Sequence, residues 1–316
     1  MTDRQGRCSY RAVMMGTDIE IQLTEHNPQL SRQLFAKIKQ LEDLLTVNRP
    51  DSQLMAVNRA AGKHPVVVDR QVFLLTDTAL QASLQGGCFN LAIGPLVKRW
   101  KIGFGGDSLP PATEIKSLLA LTDPRAVIAD RDSCSLFLSL PGMEIDAGAI
   151  AKGYIADVLC ECLRVRGVNN AMINLGGNVR VMGSPDSSPL GRWNVGVRQP
   201  FSADGALCGV ITLANRSVVT SGVGERFFVY QGRHYHHILD PRTGYPLDND
   251  LLSVTVISEC STDGEIYSSQ LYGMGLQAAC DWLADHPAIE ALFITRDGQV
   301  VCPSQRQFSF RLINNG

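Results

Sequence analysis

The sequence lacks an excess of charge of either sign. Its 316 residues include 29 lysines and arginines against 31 aspartates and glutamates, which gives a formal net charge of −2. No run of like charges interrupts this balance, whereas proteins that bind nucleic acids normally carry a basic excess or a stripe of lysine and arginine. Nucleic acid is therefore not an expected partner.

Long hydrophobic runs are also missing. The first residues carry charges but no apolar core of the length that a signal peptide needs, and no later segment reaches the length of a membrane span. The nine cysteines are odd in number, and they include no C-x-x-C pair and no Cys/His cluster with zinc spacing. We therefore expect reduced thiols in a cytoplasmic protein without a membrane partner.

The two familiar phosphate-binding loops are absent as well. Neither the G-x-x-x-x-G-K-[ST] loop nor the G-x-G-x-x-G turn occurs. Residues 143–154 nevertheless place Glu144 and Asp146 shortly before Lys152, across a run of small residues. Asp146 can accept a hydrogen bond from an amino group, and Lys152 can bind an anion. The stretch suits a ligand with an amino-bearing ring and phosphates, and a nucleotide has both.

Patterns along the chain predict a mixture of strands and helices. Residues 9–24 alternate through Ile19, Ile21 and Leu23, which predicts a half-buried strand after a turn at 14–17 (MMGT). Asn27 with Pro28 begins a helix that ends near residues 48–52. The next predicted elements are a helix at 70–85, a glycine-containing loop at 86–100, an exposed excursion at 103–113, a hairpin at 126–140 and a helix beginning near Lys152. The last ones are strands at 171–175, 193–198, 209–222 and 251–258, a helix at about 262–285 and a hairpin around 296–298.

This mixing of strands and helices, without strict alternation, indicates the α+β class, with mixed sheets and packed helices. No repeat, low-complexity tract or linker divides the sequence. We expect a single domain over residues 1–316, which is long enough to form two lobes.

The predicted helix at 262–285 carries a pair of oxygen ligands. Glu265 and Ser269 are four residues apart, so their side chains lie on one helix face. A carboxylate and a hydroxyl suit Mg²⁺, which takes few protein ligands and completes its shell with phosphate and water. The alternative is a solvated first turn, in which Glu265 only complements the helix dipole below a Ser261 cap.

The segment at residues 235–250 is polar and rich in turn residues. His237 and Asp240 lie close enough in sequence to share one loop, which Pro241 and Pro246 stiffen. A histidine held in such a loop can act as a general base near neutral pH. The alternative is a structural turn in which Asp240 bonds to the backbone and the histidines are surface residues.

Seven motifs occur in one order along nearly the whole chain. They are Met15-Gly16-Thr17, PDSQL (50–54), FNLAIGPLVKRW (89–100), DAGAIAKG (146–153), NLGG (174–177), TSGVGER (220–226) and HHILDPRTGYP (236–246). Together they resemble the motifs of the ApbE family, the FAD:protein FMN transferases. The resemblance implies an ApbE-like (T-fold-like) architecture with the FAD and Mg²⁺ site between two lobes.

The resemblance also implies a reaction and a set of site residues. Members of the family move FMN from FAD to the hydroxyl of a threonine or serine in a target flavoprotein and release AMP, so a cytoplasmic acceptor flavoprotein is the implied partner. The implied ligands of Mg²⁺ are the carbonyl of Ala149, Glu265 and Ser269. His237 is the implied base, and the adjacent His236 is the alternative that the sequence leaves open. The residues implied to bind FAD are Met15, Asn48, Cys88, Phe89, Asn90, Asp146, Lys152 and Leu239.

Several positions depart from the family pattern. Glu265 and Ser269 stand where the family usually has Asp and Thr, and both retain their oxygens. Asn90 replaces an acidic residue, Asn48 an aromatic one and Val223 an acidic one. Two other functions therefore remain open from the sequence: a Mg²⁺-dependent FAD pyrophosphatase, with water in place of the hydroxyl, and a non-catalytic flavin-binding protein.

Overall fold

The fold was analysed in a computed structural model that describes residues 8–185, 191–202 and 205–313. Its α-helices are α1 (Pro28–Leu45), α2 (Gln53–Arg59), α3 (Arg70–Leu84), α4 (Gly94–Trp100), α5 (Ala112–Leu119), α6 (Ala151–Val165), α7 (Ser261–Met274) and α8 (Leu276–Asp285). Short 3-10 helices occupy Leu91–Ile93 and Pro124–Ala126. Helices and strands are mixed, which confirms the predicted α+β class.

The strands form four antiparallel sheets in this part of the chain. The largest has the order β1-β2-β6-β7-β10-β13-β14-β15, and smaller sheets have the orders β16-β9-β8, β3-β5-β4 and β11-β12. The first eight strands are β1 (Cys8–Met14), β2 (Thr17–Leu23), β3 (Val66–Val67), β4 (Val127–Asp130), β5 (Ser135–Leu138), β6 (Ala171–Leu175), β7 (Asn178–Met182) and β8 (Trp193–Arg198). The others are β9 (Leu207–Leu213), β10 (Ser217–Gly222), β11 (Phe227–Tyr230), β12 (Arg233–His236), β13 (Leu251–Ser258), β14 (Glu290–Thr295), β15 (Val300–Val301) and β16 (Ser309–Leu312).

The large sheet is covered on both faces. In β14, Ala291 and Phe293 pack with buried residues of α7 and α8, while Leu292 and Ile294 pack with those of β8 and β9. Successive strand residues point to opposite faces, so helices cover one face and the small sheet β16-β9-β8 covers the other. Burial on both sides explains why every residue of β14 is buried.

Helix α1 begins and packs as its sequence predicts. The side chain of Asn27 accepts a hydrogen bond from the N–H of Leu30 at 2.9 Å, and Pro28 occupies the first turn. The apolar residues at spacings of three and four are buried against the core: Leu30, Leu34, Ile38, Leu41 and Leu45.

The turn predicted at 14–17 is present, because Met15 and Gly16 both have positive φ (52° and 70°) and turn the chain between the paired strands β1 and β2. Three predicted elements differ in the structure. The strand at 209–222 is two strands, β9 and β10, and Asn215 between them has a φ of 53°. The loop at 86–100 contains a 3-10 helix and α4. The helix at 262–285 is broken at Gly275, whose φ of 76° lies in the left-handed region that favours glycine.

Candidate active site

The segment that carries Asp146 is fixed by backbone hydrogen bonds. The side chain of Asn58 bonds to both the N–H and the carbonyl of Ile145, at 2.8 and 3.0 Å. The N–H of Asp146 donates to the carbonyl of Leu91 at 2.9 Å, and its carboxylate accepts from the N–H of Gly148 at 2.7 Å. Burial raises the pKa of Asp146, although the Gly148 bond and the charge of Arg226 act in the opposite direction.

Lys152 lies in the first turn of α6, as predicted, where this helix contacts α7. The contact is close because a Cβ atom on Gly153 would lie 2.4 Å from the carbonyl oxygen of Ser261 and 2.7 Å from Cγ of Glu265. Only glycine fits this position without a shift of backbone. The charge of Lys152 acts on both Glu265 and His237, so the two helices and the histidine loop bring three candidate side chains together.

Glu265 is a buried carboxylate, with 8% of its surface exposed. Its Oε1 accepts a hydrogen bond from Nδ2 of Asn178 at 2.9 Å, and the N–H of Gly153 also bonds to this carboxylate. Burial raises the pKa of Glu265, while Lys152, Asn178 and Gly153 lower it. The predicted alternative of a solvated carboxylate is therefore wrong. The N-terminus of α7 is instead bonded by Asp157, which accepts from the N–H groups of Ser261 and Thr262.

The predicted ligands Glu265, Ser269 and Ala149 have the chemistry that suits a small hard cation. Ser269 lies half-buried one turn further along α7, and Ala149 lies exposed just before α6. The described residues contain no group of three or more His, Cys, Asp or Glu side chains arranged for a metal. One carboxylate, one hydroxyl and one carbonyl are the sparse set of oxygen ligands that Mg²⁺ accepts when phosphates and water complete its shell.

In the part of the chain that the structure describes, His237 has a hydrogen-bond partner at one ring nitrogen, which leaves the other nitrogen to accept a proton. Its Nδ1 lies 3.2 Å from the carbonyl oxygen of Arg226. A carbonyl only accepts hydrogen bonds, so Nδ1 carries the hydrogen and Nε2 has the lone pair. Burial, followed by the positive charge of Arg226, lowers the pKa of His237 to about 3, and Lys152 acts in the same direction. The neutral imidazole is the form present at neutral pH.

The neighbouring His236 is bonded at both ring nitrogens. Its Nε2 donates to the carbonyl of Leu247 at 2.8 Å, and its Nδ1 accepts from the N–H of Ile238 at 3.3 Å. The side chain is 4% exposed, and burial lowers its pKa to about 4. His236 is therefore a structural residue, and the alternative that both histidines are surface residues is wrong.

Asp240 closes the loop that follows the histidines. Its Oδ1 accepts from the N–H and from Nε of Arg242, at 2.9 and 3.0 Å, and its carbonyl accepts from the N–H of Gly244 at 2.8 Å. The carbonyl of Gly244 in turn accepts from Nε1 of Trp100 at 2.8 Å. The backbone-bonding alternative that the sequence left open is therefore correct for Asp240, and its bonds fix the loop next to His237.

The segment at 88–90 is held by hydrogen bonds and core packing within the protein. The N–H of Cys88 donates to Oε1 of Gln270 at 2.8 Å, and burial raises the pKa of its thiol to about 11. Phe89 is buried in the largest hydrophobic cluster. Asn90 caps the 3-10 helix by accepting from the N–H of Ala92 at 2.8 Å, and its Nδ2 donates to the carbonyl of Thr122 at 2.9 Å. A thiol with a raised pKa is unreactive at neutral pH.

The remaining predicted FAD contacts lie on three different segments. Met15 is half-buried at the tip of the β1–β2 hairpin, and Asn48 is exposed after α1. Leu239 is 4% exposed in a cluster with Leu96 and Trp100. In residues 8–185, 191–202 and 205–313, no hydrogen bond links these side chains to Glu265 or His237.

Three residues of the site were not singled out from the sequence. Asn178 bonds to Glu265, Arg226 binds His237 through its carbonyl, and Gln270 bonds to both Gly86 and Cys88. Arg226 lies in the quoted TSGVGER motif, and Asn178 directly follows NLGG, so both had a nearby signal. No local sequence signal marked Gln270, because its hydrogen bonds to Gly86 and Cys88 join positions far apart in the chain.

These motifs and contacts agree with a comparison against known families. The model of the ApbE family matches residues 15–293. The chain belongs to the ApbE family. Among its relatives, a protein of Klebsiella pneumoniae named FAD:protein FMN transferase is 49% identical over 98% of this chain and 95% of its own. A Treponema pallidum protein of the same name is 38% identical over 85% of this chain and 77% of its own.

Solved ApbE structures share the fold. The ApbE protein from Thermotoga maritima superposes with a TM-score of 0.82 and 28% identity, over 94% of this chain and 96% of its own. The flavin transferase ApbE from Vibrio cholerae gives a TM-score of 0.79 and 25% identity, over 98% and 97%. The architecture predicted from the motifs is therefore confirmed. Among the described helices, none has the length and apolar character that crossing a membrane requires.

Proposed function

We propose that this ApbE protein transfers the FMN part of FAD to a threonine or serine hydroxyl of a target flavoprotein, with release of AMP and with Mg²⁺ as cofactor. The observation that carries the proposal is the close contact of α6 with α7 at Gly153, which places Lys152 near the buried carboxylate of Glu265. The charge of Lys152 acts on both Glu265 and His237. The relatives named FAD:protein FMN transferase support the same activity.

The metal ligands in this proposal are Glu265, Ser269 and the carbonyl of Ala149. The raised pKa of the buried Glu265 means that Lys152, Asn178 and the N–H of Gly153 do not fully compensate its charge in the protein alone. A divalent cation would supply this compensation, and the donor set contains only the oxygens that Mg²⁺ prefers. When bound, Mg²⁺ neutralises negative charge that develops on the diphosphate during transfer.

The FAD-binding residues are Asp146 and Lys152, together with Met15, Asn48, the segment Cys88–Asn90 and Leu239. Lys152 is the cation that can meet the diphosphate, because its charge acts on both the metal carboxylate and the histidine. Asp146 accepts from an amino group of the dinucleotide. The bonds from Gln270 to Gly86 and Cys88 hold the 86–90 segment against α7, which carries Glu265 and Ser269.

His237 is the general base. Its Nε2 takes the proton of the acceptor hydroxyl while that oxygen bonds to the phosphorus atom of the FMN phosphate. The bond from this phosphorus to the oxygen of AMP breaks, and AMP leaves with the electron pair. The pKa of about 3 belongs to the protein alone; a negative diphosphate beside Lys152 would oppose the lowering of this pKa by the charges of Arg226 and Lys152.

The acceptor is a cytoplasmic flavoprotein. The support for this compartment is that all nine cysteines are free thiols, which is the usual state of cysteines in the reducing cytosol. Residues 1–316 act as one transferase domain in this proposal.

The test uses the purified protein with FAD, Mg²⁺ and a cytosolic extract of the host. A denaturing gel is examined for covalent flavin fluorescence, and AMP is assayed in the same reactions, with EDTA and heat-treated enzyme as controls. A fluorescent band that requires FAD and metal is expected. AMP without a band would indicate hydrolysis, and neither signal would indicate a flavin-binding protein; both results would overturn the proposal.

A further inference from the structure

The β11–β12 hairpin has one packed face and one open face. Phe228 and Tyr235 stack on each other at 5.3 Å and pack against Trp100, at 6.4 and 6.1 Å between ring centroids. Strand side chains alternate between faces, so Phe227, Val229 and His234 lie on the other side. We call Phe227, Val229 and His234, with the adjacent Phe201, the outer hairpin face.

This face exposes apolar and aromatic surface. The exposed fractions are 45% for Phe201, 37% for Phe227 and 54% for Val229. Their rings contact each other: Phe201 and Phe227 lie 5.4 Å apart, and the His234 ring lies 5.7 and 5.1 Å from the two. Exposed aromatic clusters of this kind are enriched in surfaces that bind other proteins.

The outer hairpin face is continuous with the proposed catalytic base. Phe227 pairs with His236 in the hairpin, and Arg226, the residue before β11, accepts hydrogen bonds at its carbonyl from the N–H and the ring of His237. The guanidinium of Arg226 lies 5.6 Å from the ring of Phe104, a residue that is 59% exposed. The aromatic surface therefore begins beside the backbone carbonyl that holds the ring of His237.

The hairpin also offers free backbone edges. Within the residues that the structure describes, β11 and β12 pair only with each other. An unpaired edge can add an extended peptide as a further strand, with backbone hydrogen bonds supplying affinity and side-chain contacts supplying specificity. A segment added here would run toward or away from His237 along the strand direction.

We propose that the outer hairpin face and its free edge bind an extended segment of the acceptor flavoprotein and thereby present its hydroxyl to His237. The inference rests on the proposed function, because that reaction requires a second protein to reach His237. FAD is a poorer occupant, since the outer hairpin face has no cation that meets a diphosphate. A second copy of this chain would block the approach that the acceptor needs.

The experiment compares the wild type with the double variant Phe227→Ser/Val229→Asp in the extract assay at limiting extract. The matched control is Val13→Asp, which changes a 77% exposed residue of β1 in the same way. The double variant is expected to form the fluorescent band roughly tenfold more slowly, the loss expected when central interface residues are replaced. FAD affinity and the thermal unfolding temperature are expected to match the wild type.

The outcomes separate this inference from the proposed function. If the wild type and the double variant form the fluorescent band at the same rate, the inference alone is overturned. If the wild type forms no band, the proposed function is overturned. If the double variant loses FAD affinity by the same factor as it loses transfer rate, the surface binds FAD. Light scattering that shows a dimer in the wild type and a monomer in the variant, with unchanged transfer, would assign it to a second copy. The last two outcomes also overturn the inference.

Discussion

Asn178 orients the carboxylate of Glu265 through a hydrogen bond of 2.9 Å from its Nδ2 to Oε1. The side-chain amide of Asn178 is fixed against a flip of its oxygen and nitrogen, because its oxygen accepts a hydrogen bond from the hydroxyl of Ser261 at 2.6 Å. Ser261 has its own donor in Ser217, at 2.9 Å between the hydroxyl oxygens. The chain of donors therefore runs in one direction, from Ser217 to the carboxylate.

The first prediction is that Asn178→Leu weakens metal binding by roughly 10- to 100-fold, the range found when residues that support a metal ligand are replaced. The side chain keeps a similar volume but no longer orients Glu265. Binding of Mn²⁺, as a spectroscopic substitute for Mg²⁺, measures the effect without activity. Thr220→Val is the control, since it removes the partly buried Thr220–Thr255 hydrogen bond of 2.8 Å without touching Glu265. Equal Mn²⁺ affinity in Asn178→Leu and the wild type would contradict the account.

The second prediction is that Glu265→Gln stabilises the metal-free protein and abolishes metal binding. Burial raises the pKa of Glu265 above its ordinary value. A carboxyl with a raised pKa stabilises the fold at low pH and loses that contribution as the pH rises through the folded-state pKa. The neutral amide of the Glu265→Gln variant avoids this loss of stability, and its oxygen can still accept the hydrogen bond from Nδ2 of Asn178. A melting temperature a few degrees higher at pH 7.5 without metal, and no increase on adding Mn²⁺, is the expected result. A lower melting temperature would be inconsistent with it.

The third prediction separates the two histidines. His237→Gln is expected to reduce transfer by roughly 10²- to 10⁴-fold, the usual contribution of a general base, while FAD affinity changes little. His236→Gln is expected to lower the melting temperature, because the buried acceptor at Leu247 loses its partner. Single-turnover rates and thermal unfolding measure these effects. The assignment fails if His236→Gln has the slower chemistry at saturating FAD.

The fourth prediction concerns acid sensitivity. The pKa values of His236 and His237 are lowered by burial to about 4 and about 3. An unfolded histidine takes up a proton near pH 6.5, whereas these folded ones do not, so their stabilising contribution is full above that pH and declines as the pH falls toward 3 to 4. The melting temperature of the metal-free protein should therefore fall between pH 6.5 and pH 4. His237→Gln should make this fall shallower, and an unchanged slope would refute the burial of a neutral ring.

The sequence predicted those elements whose signals are local. Asn27 and Pro28 specify the start of α1, and the spacing of Glu265 and Ser269 places both on one face of α7 because a helix repeats every few residues. The long helix was predicted to continue to residue 285 because one glycine is tolerated in a helical pattern. The positive φ of Gly275 could be known only from the packing around it.

The site was predictable in its motifs but less so in its supporting contacts. Asp146, Lys152, Glu265 and His237 belong to quoted motifs or to the helix-face pair. The bond between Asn178 and Glu265 joins positions 87 residues apart, and the one between Cys88 and Gln270 joins positions 182 residues apart. Such contacts depend on how strands and helices pack, and no local pattern encodes them. Burial of His236 was missed for the same reason.

The central claim is that the FMN phosphate of FAD, and not the adenylate, moves to a protein hydroxyl. It is tested most directly with two preparations of FAD, one labelled at the phosphate attached to riboflavin and the other at the phosphate attached to adenosine. Each is incubated with the enzyme, Mg²⁺ and cytosolic extract, and the label is located on a denaturing gel. The account predicts that the first label appears in the fluorescent band and the second in free AMP. Label from the adenosine phosphate in the protein, or both labels only in solution, would contradict it.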